Sequence, residues 1–518
     1  MNGRHIFTFI TLLFLATGPA IAQVSGLGST TFENSGAPEA QEAFLRGILL
    51  LHSFEYEDAR EAFVEARTTD PDFAMAYWGE AMTHNHPIWH SVSVDRARKA
   101  LEKLGPDLDA RLSKAPTKRE KDYLRAAEAL FYGGGDKLAR DLAFMEAMSR
   151  VASAYPDDLD AAAFYALSIL GSAHDGRDFA TYMRAAGVAE GVFAANPMHP
   201  GAAHYLIHSY DDAIHAPLGL RAAHVYAAIA PNAAHALHMP SHIFLAMGMW
   251  DSVVESNAAS FAASDERMER KGLGINARSF HARQWQMYGL LQQGRYKDAR
   301  QLLGAMAEDA TTRGASNSAH RHLALMRAMY LVETNHWDSN VARMEIDTDK
   351  LRGSAAAANR YAMGRAALAL GDDESASQQV KSMMELKGDD EKVIRIMQHS
   401  LKAELLRLEG NRAAAIDLLE QAASLEGELP MAFGPPSPVK PSHELLGEFY
   451  LDAGMPAEAQ QAFEMALARA PKRALSLVGL AKAAAMTGNH DKAAMARKTL
   501  RAVWHKADEE VRSTLPTT

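Results

Sequence analysis

Small and large apolar positions recur along this chain at helical spacing, in a skeleton that keeps returning. Its clearest copy reads Pro441-Ser442-His443-Glu444-Leu445-Leu446-Gly447-Glu448-Phe449-Tyr450 and continues through Gly454, Ala459, Phe463, Ala466 and Pro471. The small residues let two antiparallel helices approach, and the large ones fill the seam between neighbouring pairs. The same skeleton returns as Gly47, Tyr56, Ala59, Phe63, Ala66, Pro71 and again as Gly294, Tyr296, Ala299, with further turns at Trp337, Gly371, Gly410 and Gly488. Runs of alternating β-branched residues are missing, so the pattern predicts an all-α chain with almost no sheet. Two stretches break the period. One runs from Pro87 to Asp122, and the other from Glu428 to Pro441, where Pro430, Pro435, Pro436, Pro438 and Pro441 forbid a regular helix. The second break reads either as a loop folded over a binding face or as a plain spacer.

His204 and His208 are followed 34 residues later by His238 and His242. That period, with the skeleton above, resembles the tetratricopeptide repeat over most of residues 40–505, and the wider resemblance is to exported bacterial proteins of this type. It implies an α-solenoid of about ten to eleven helical hairpins, wound into a superhelix of about seven or eight hairpins per turn with a concave groove. In such a stack each hairpin touches its neighbours alone. The first helix of each hairpin lines the groove through repeat positions two, five, nine, twelve and thirteen. Counted from Pro197, His204, His208, Asp211 and Asp212 take four of these positions; counted from Pro231, His235, His238 and His242 take three.

Residues 199–242 hold 8 of the 22 histidines in the chain, four times their even share. Imidazoles at i and i+4 share a helix face, and adjacent helices bring two such pairs together. Neutral imidazole with carboxylate suits a divalent transition metal, Zn, Cu or Fe. The metal set is therefore His204, His208, Asp211, Asp212, His235, His238 and His242. The same residues also suit a groove for a protein or peptide partner, or a group that charges in acid. Pro240 falls inside the second pair, and a helix starting there would leave His238 in the preceding loop. A weaker cluster, His84, Asn85 and His86, would lie several repeats away from His208. Trp78, Lys440, His443 and Glu444 are possible groove contacts. His215 and His224 fall off the groove positions and read as packing or solvent-facing.

The chain has no cysteine, which removes disulfides, thiolate metal sites and Cys nucleophiles. Neither a phosphate loop nor a nucleophile elbow is present, so any enzyme here would be metal-dependent and would use the histidine cluster. A net charge of −10 argues against a nucleic-acid partner. A basic start, an apolar run from Ile6 to Ala16 and Ala20-Ile21-Ala22 before Gln23 read as a secretory signal peptide over residues 1–22, too short to span a bilayer. The expected product is a soluble, periplasmic or secreted protein. Its expected parts are a flexible segment (23–39), the solenoid (40–425) with its His-rich repeats (196–262), the Pro-rich loop (426–441), C-terminal repeats (442–505) and a tail (506–518).

Overall fold

The computed structural model describes residues 22–388, 390–431 and 433–515, so the expected leader lies outside them apart from Ala22. Helices dominate, from Gln41–His52 to Glu509–Arg512, and they pair off as antiparallel hairpins. Each packs on the next in sequence and, less extensively, on the next but one. Among the described residues, strand is confined to two short ladders, Ala22–Val24 with Gly28–Thr30 and Asn85–His86 with Ser91–Val92.

One wedge explains why this sequence stacks. The ring of Phe63 lies so close to Gly47 and Gly79 that a Cβ on either would sit 2.7 and 2.4 Å from it. Near the other end, Phe463 stands in the same way between Gly447 and Gly479, at 2.8 and 2.2 Å. An aromatic ring from the second helix of one hairpin thus slots between glycines of its own first helix and of the next, which is possible only without side chains there.

The array departs from nearest-neighbour stacking in one respect that builds the site. Helix Gln41–His52 packs against helix Pro200–Tyr210. The Glu55 carboxylate accepts the His235 backbone N–H at 2.9 Å, and Arg267 pairs with Asp58. At the far end, Arg473 reaches Glu333 at 2.6 Å, and the Trp504 indole donates to the Gln292 carbonyl at 3.2 Å. The Asp508 N–H donates to the Gly294 carbonyl at 3.0 Å. Both ends of the solenoid therefore close onto its middle. Isolated ion pairs and backbone groups make these contacts, and neither leaves a trace in hydrophobic periodicity.

Residues 25–39 differ from the flexible segment expected of them. Leu27 and Phe32 are buried, Ser29 N–H donates to the Met198 carbonyl at 3.1 Å, and the Thr30 hydroxyl donates to Asp160. Their polar, Gly-rich composition hides two apolar anchors that seat the segment beside His199.

A candidate metal centre

Helix Pro200–Tyr210 starts with Pro at its first turn, and the His199 imidazole accepts the Ala202 N–H at 3.2 Å. His204 and His208 follow one turn apart, with ring centroids 4.8 Å from each other. In the next hairpin, Ala234–His238 runs into Pro240–Ala246 through Met239, which keeps helical angles (φ −54°, ψ −38°). Pro240 removes one hydrogen bond, yet the Met239 N–H still reaches the His235 carbonyl and the His242 N–H the Met239 carbonyl. The helical path survives, and His238 and His242 stay on one face with ring centroids 4.9 Å apart.

The superhelix brings the two pairs together with two further rings. Nε2 of His204 lies 3.2 Å from Nε2 of His235, and Nε2 of His238 lies 3.1 Å from Nε2 of His242. His204, His208 and His235 offer nitrogens within 4.8 Å of one another, and so do His238, His242 and His281. His281 was not foreseen: it stands alone at the start of helix Phe280–Gln292, outside the 34-residue register. Only its ring contact with His238, centroids 4.7 Å apart, reveals it. Beyond it, His322 holds Gln284 Oε1 through Nδ1 at 2.6 Å, its ring centroid 6.1 Å from that of His281.

The groups behind these rings decide their protonation. His204 Nδ1 faces the His52 carbonyl at 2.7 Å, and His242 Nδ1 faces the Asp211 carboxylate at 2.5 Å. His238 Nδ1 faces Asn257 Oδ1 at 2.6 Å, an amide orientation fixed by its Nδ2 donating to the Val253 carbonyl. Opposite acceptors, each Nδ1 carries the proton, so each Nε2 turns a bare lone pair into the cluster. Nε2 of His208 is buried without any hydrogen-bond partner. The lone pairs of His238 and His242, held 3.1 Å apart, repel unless a cation lies between them, and the lone pair of His204 faces His235 Nε2 at 3.2 Å. A tetrahedral metal with bonds of about 2.0–2.1 Å would set such nitrogens about 3.3–3.4 Å apart. Burial, reinforced by neighbouring imidazoles, pushes His204, His208, His235 and His281 well below the usual histidine range, and His238 down to about 3. At neutral pH these rings are in the ligand form.

Two of the expected ligands are not ligands. Asp211 stands behind His242, and Asp212 is taken by Arg177 at 3.0 Å and His215 at 2.9 Å. Trp78 is fully buried between Phe32, Tyr123 and Phe164, in the core and not the groove. Lys440 and Glu444 bond to each other at 2.9 Å inside a buried ion network, and His443 lines a separate small cavity beside Pro441. In a superhelix this tight, the inner face of the last hairpins is interior. His224 packs near Phe244, ring centroids 5.6 Å apart.

The weaker cluster is nearer than expected. Asn85 and His86 lie in the short ladder, His86 stacks on Tyr56 at 4.0 Å, and His84 is pushed down to about 4 by burial and by Arg60 and Arg96. None of the three joins the histidine sets, but Trp89 in the same loop comes within 6.1 Å of His235. Trp89, Ile88, Trp285 and Phe433 line a cavity of about 620 Å³ onto which His208, His235, His238, His242 and His281 open. Phe433 comes from the Pro-rich segment, which therefore reaches the site.

A third group, His52, Asp160 and His199, lies deeper, with His199 Nε2 3.3 Å from Asp160. The Tyr205 hydroxyl meets His52 Nδ1 at 2.8 Å, His52 Nε2 meets Asp160 at 2.9 Å, and Thr30 adds a further bond to that carboxylate. It fastens the N-terminal segment to the solenoid.

No protein-family model matches the chain, and no curated protein matches its sequence. Among solved structures, the human IFIT1 dimer with PPP-AAAA is similar at 12% identity, over 92% of this chain and 97% of that one, with a TM-score of 0.38. Yeast Tom70 is similar at 14% identity, over 88% and 96%, with a TM-score of 0.34. The Phe63 and Phe463 wedges and the hairpin-on-hairpin stacking are this chain's own marks of the repeat. The fold is a tetratricopeptide-like solenoid.

Proposed function

We propose that this protein binds a divalent transition metal at the histidine sets on its inner face. The observation that carries the reading is the 3.1 Å Nε2–Nε2 approach between His238 and His242, rings whose opposite nitrogens are engaged by acceptors, with His204, backed in the same way, setting its Nε2 3.2 Å from that of His235. A buried histidine kept for packing would turn at least one nitrogen to a donor, whereas His238 and His242 turn lone pairs toward each other. An all-imidazole set favours Cu(II) or Zn(II) over harder ions. The cavity beside it is walled by aromatic side chains and suits a small molecule better than an extended peptide. Among the described residues no helix is long and apolar enough to cross a membrane. The apolar run from Ile6 to Ala16 and the Ala20-Ile21-Ala22 site support an exported protein whose mature chain starts at Gln23.

The test is elemental analysis and calorimetry on untagged protein after chelation, titrated with Zn(II) and Cu(II) at pH 7.5. Binding that disappears in the double variant His204→Ala/His242→Ala, with the helical circular-dichroism signal unchanged, supports the reading. Parent protein that takes up neither ion overturns it.

A further inference from the structure

The histidines fall into two sets of three, and the sets repeat one another. Each contains one pair of Nε2 atoms at closest approach, 3.2 Å in His204/His235 and 3.1 Å in His238/His242. Both open onto the shared cavity, the first through His208 and His235 and the second through His238, His242 and His281. Within the sets, neighbouring ring centroids are 4.7–5.0 Å apart; between them, His208 and His242 are 5.8 Å apart and His235 and His238 6.2 Å. The step across is about as short as the steps within.

One ion does not account for this arrangement. Six nitrogens around a single octahedral metal with bonds of about 2.1 Å would span at most about 4.2 Å. The nitrogens meet a limit of 4.8 Å only as two separate triads. Three imidazoles per ion are the donor set of an open site, with a coordination position left for an outside ligand.

We propose that the cluster is a paired metal centre, one ion on His204, His208 and His235 and a second on His238, His242 and His281, bridged by a small carboxylate bound in the aromatic cavity. The proposal rests on the metal-binding reading above. The charge balance points to the bridge. Six neutral imidazoles leave two divalent ions short of negative charge in a low-dielectric interior: Asp211 is spent on His242 Nδ1, and the one carboxylate that lines the cavity among the described residues, Glu55, is spent on the His235 backbone N–H. An incoming anion supplies the missing charge. The walls, Trp89, Ile88, Trp285 and Phe433, fit an apolar body attached to it. A pair of ions a few ångströms apart clamps two oxygens of one ligand, as in other two-metal sites.

Copper loading followed by metal analysis and electron paramagnetic resonance tests this. The parent protein should bind two Cu(II) ions per chain, with a spectrum broadened or weakened by coupling between them. His281→Ala and His235→Ala should each bind one ion and show the sharp signal of an isolated Cu(II). Benzoate added to the two-copper protein should alter the coupled spectrum, and toluene should not. No copper uptake would remove the metal reading altogether. One ion per parent chain would leave metal binding standing and refute the pair, two uncoupled signals would refute the shared centre, and indifference to benzoate would refute the carboxylate bridge.

Discussion

Replacing Arg473 by Met, close in volume but uncharged, should be among the most damaging single changes available. Its guanidinium is fully buried and holds three groups: Glu444 at 2.7 Å, Glu333 at 2.6 Å and the Tyr288 hydroxyl at 3.0 Å. Side chains of both glutamates are at most 2% exposed, so removing the arginine strands Glu333 and leaves Glu444 to Lys440 and Ser476. Breaking a buried pair from one side costs about 3–5 kcal/mol, a large share of the roughly 5–15 kcal/mol that holds a domain folded. Burial alone would raise Glu444; Arg473 and Lys440 overcome it and hold the carboxyl well below the usual range. In the parent, that stabilisation is present above the unfolded carboxylate pKa and is lost as pH falls through the folded one. Burial already raises Glu333 in the parent, and without Arg473 it loses its cation; its native state binds the extra proton, so that part of the deficit shrinks between pH 7.5 and 5. Urea denaturation followed by tryptophan fluorescence at the two pH values measures this. A triple variant with Glu333→Gln and Glu444→Gln should recover much of the loss, because the carboxylates left without Arg473 are gone. Arg473→Met within about 1 kcal/mol of the parent at pH 7.5 would refute the account of how the C-terminal hairpins are held.

Three further outcomes follow from the geometry. Asp211→Asn leaves the Nε2 atoms untouched but weakens the group that orients His242, so metal affinity by competitive chelation should fall about 10–100-fold with little change in fold. In the metal-free protein, burial pushes His52 down to about 4, below its unfolded value of 6.5. The unfolded chain then binds the extra proton, so stability is full above about pH 6.5 and by pH 5 has fallen by about 2 kcal/mol from this residue, seen as a lower urea midpoint that His52→Gln removes. Gly434→Ala places a Cβ 2.2 Å from the Trp285 ring at φ +84°, so the Pro-rich segment must lift and acrylamide should quench tryptophan fluorescence more strongly than in the parent.

The hairpins were legible because their cause is local. Gly47, Phe63 and Gly79 form a wedge within one repeat length, and the 34-residue register of His204 with His238 and His208 with His242 carried straight into space. What the sequence hid depends on curvature. His281 joins the cluster across a hairpin boundary, with a spacing of 43 residues from His238 that belongs to no repeat. Lys440 and Glu444 read as possible groove contacts, but both are buried, and the two charges hold each other beside Arg473. Asp211 and Asp212 were placed correctly beside the histidines, but their partners are other side chains: His242 for the first, Arg177 and His215 for the second.

An open helical array can lengthen or shorten by duplicating or deleting a hairpin, because every junction resembles every other. Here Asn232 backs onto Gly26, and the loop at Gly294 receives Trp504, Ala507 and Val511. An inserted hairpin anywhere between those points would carry the partners out of reach. The number of repeats is therefore set by the need for each end to meet the middle, and variation among descendants of this chain should gather in loop lengths on the outside while the tally of hairpins stays fixed.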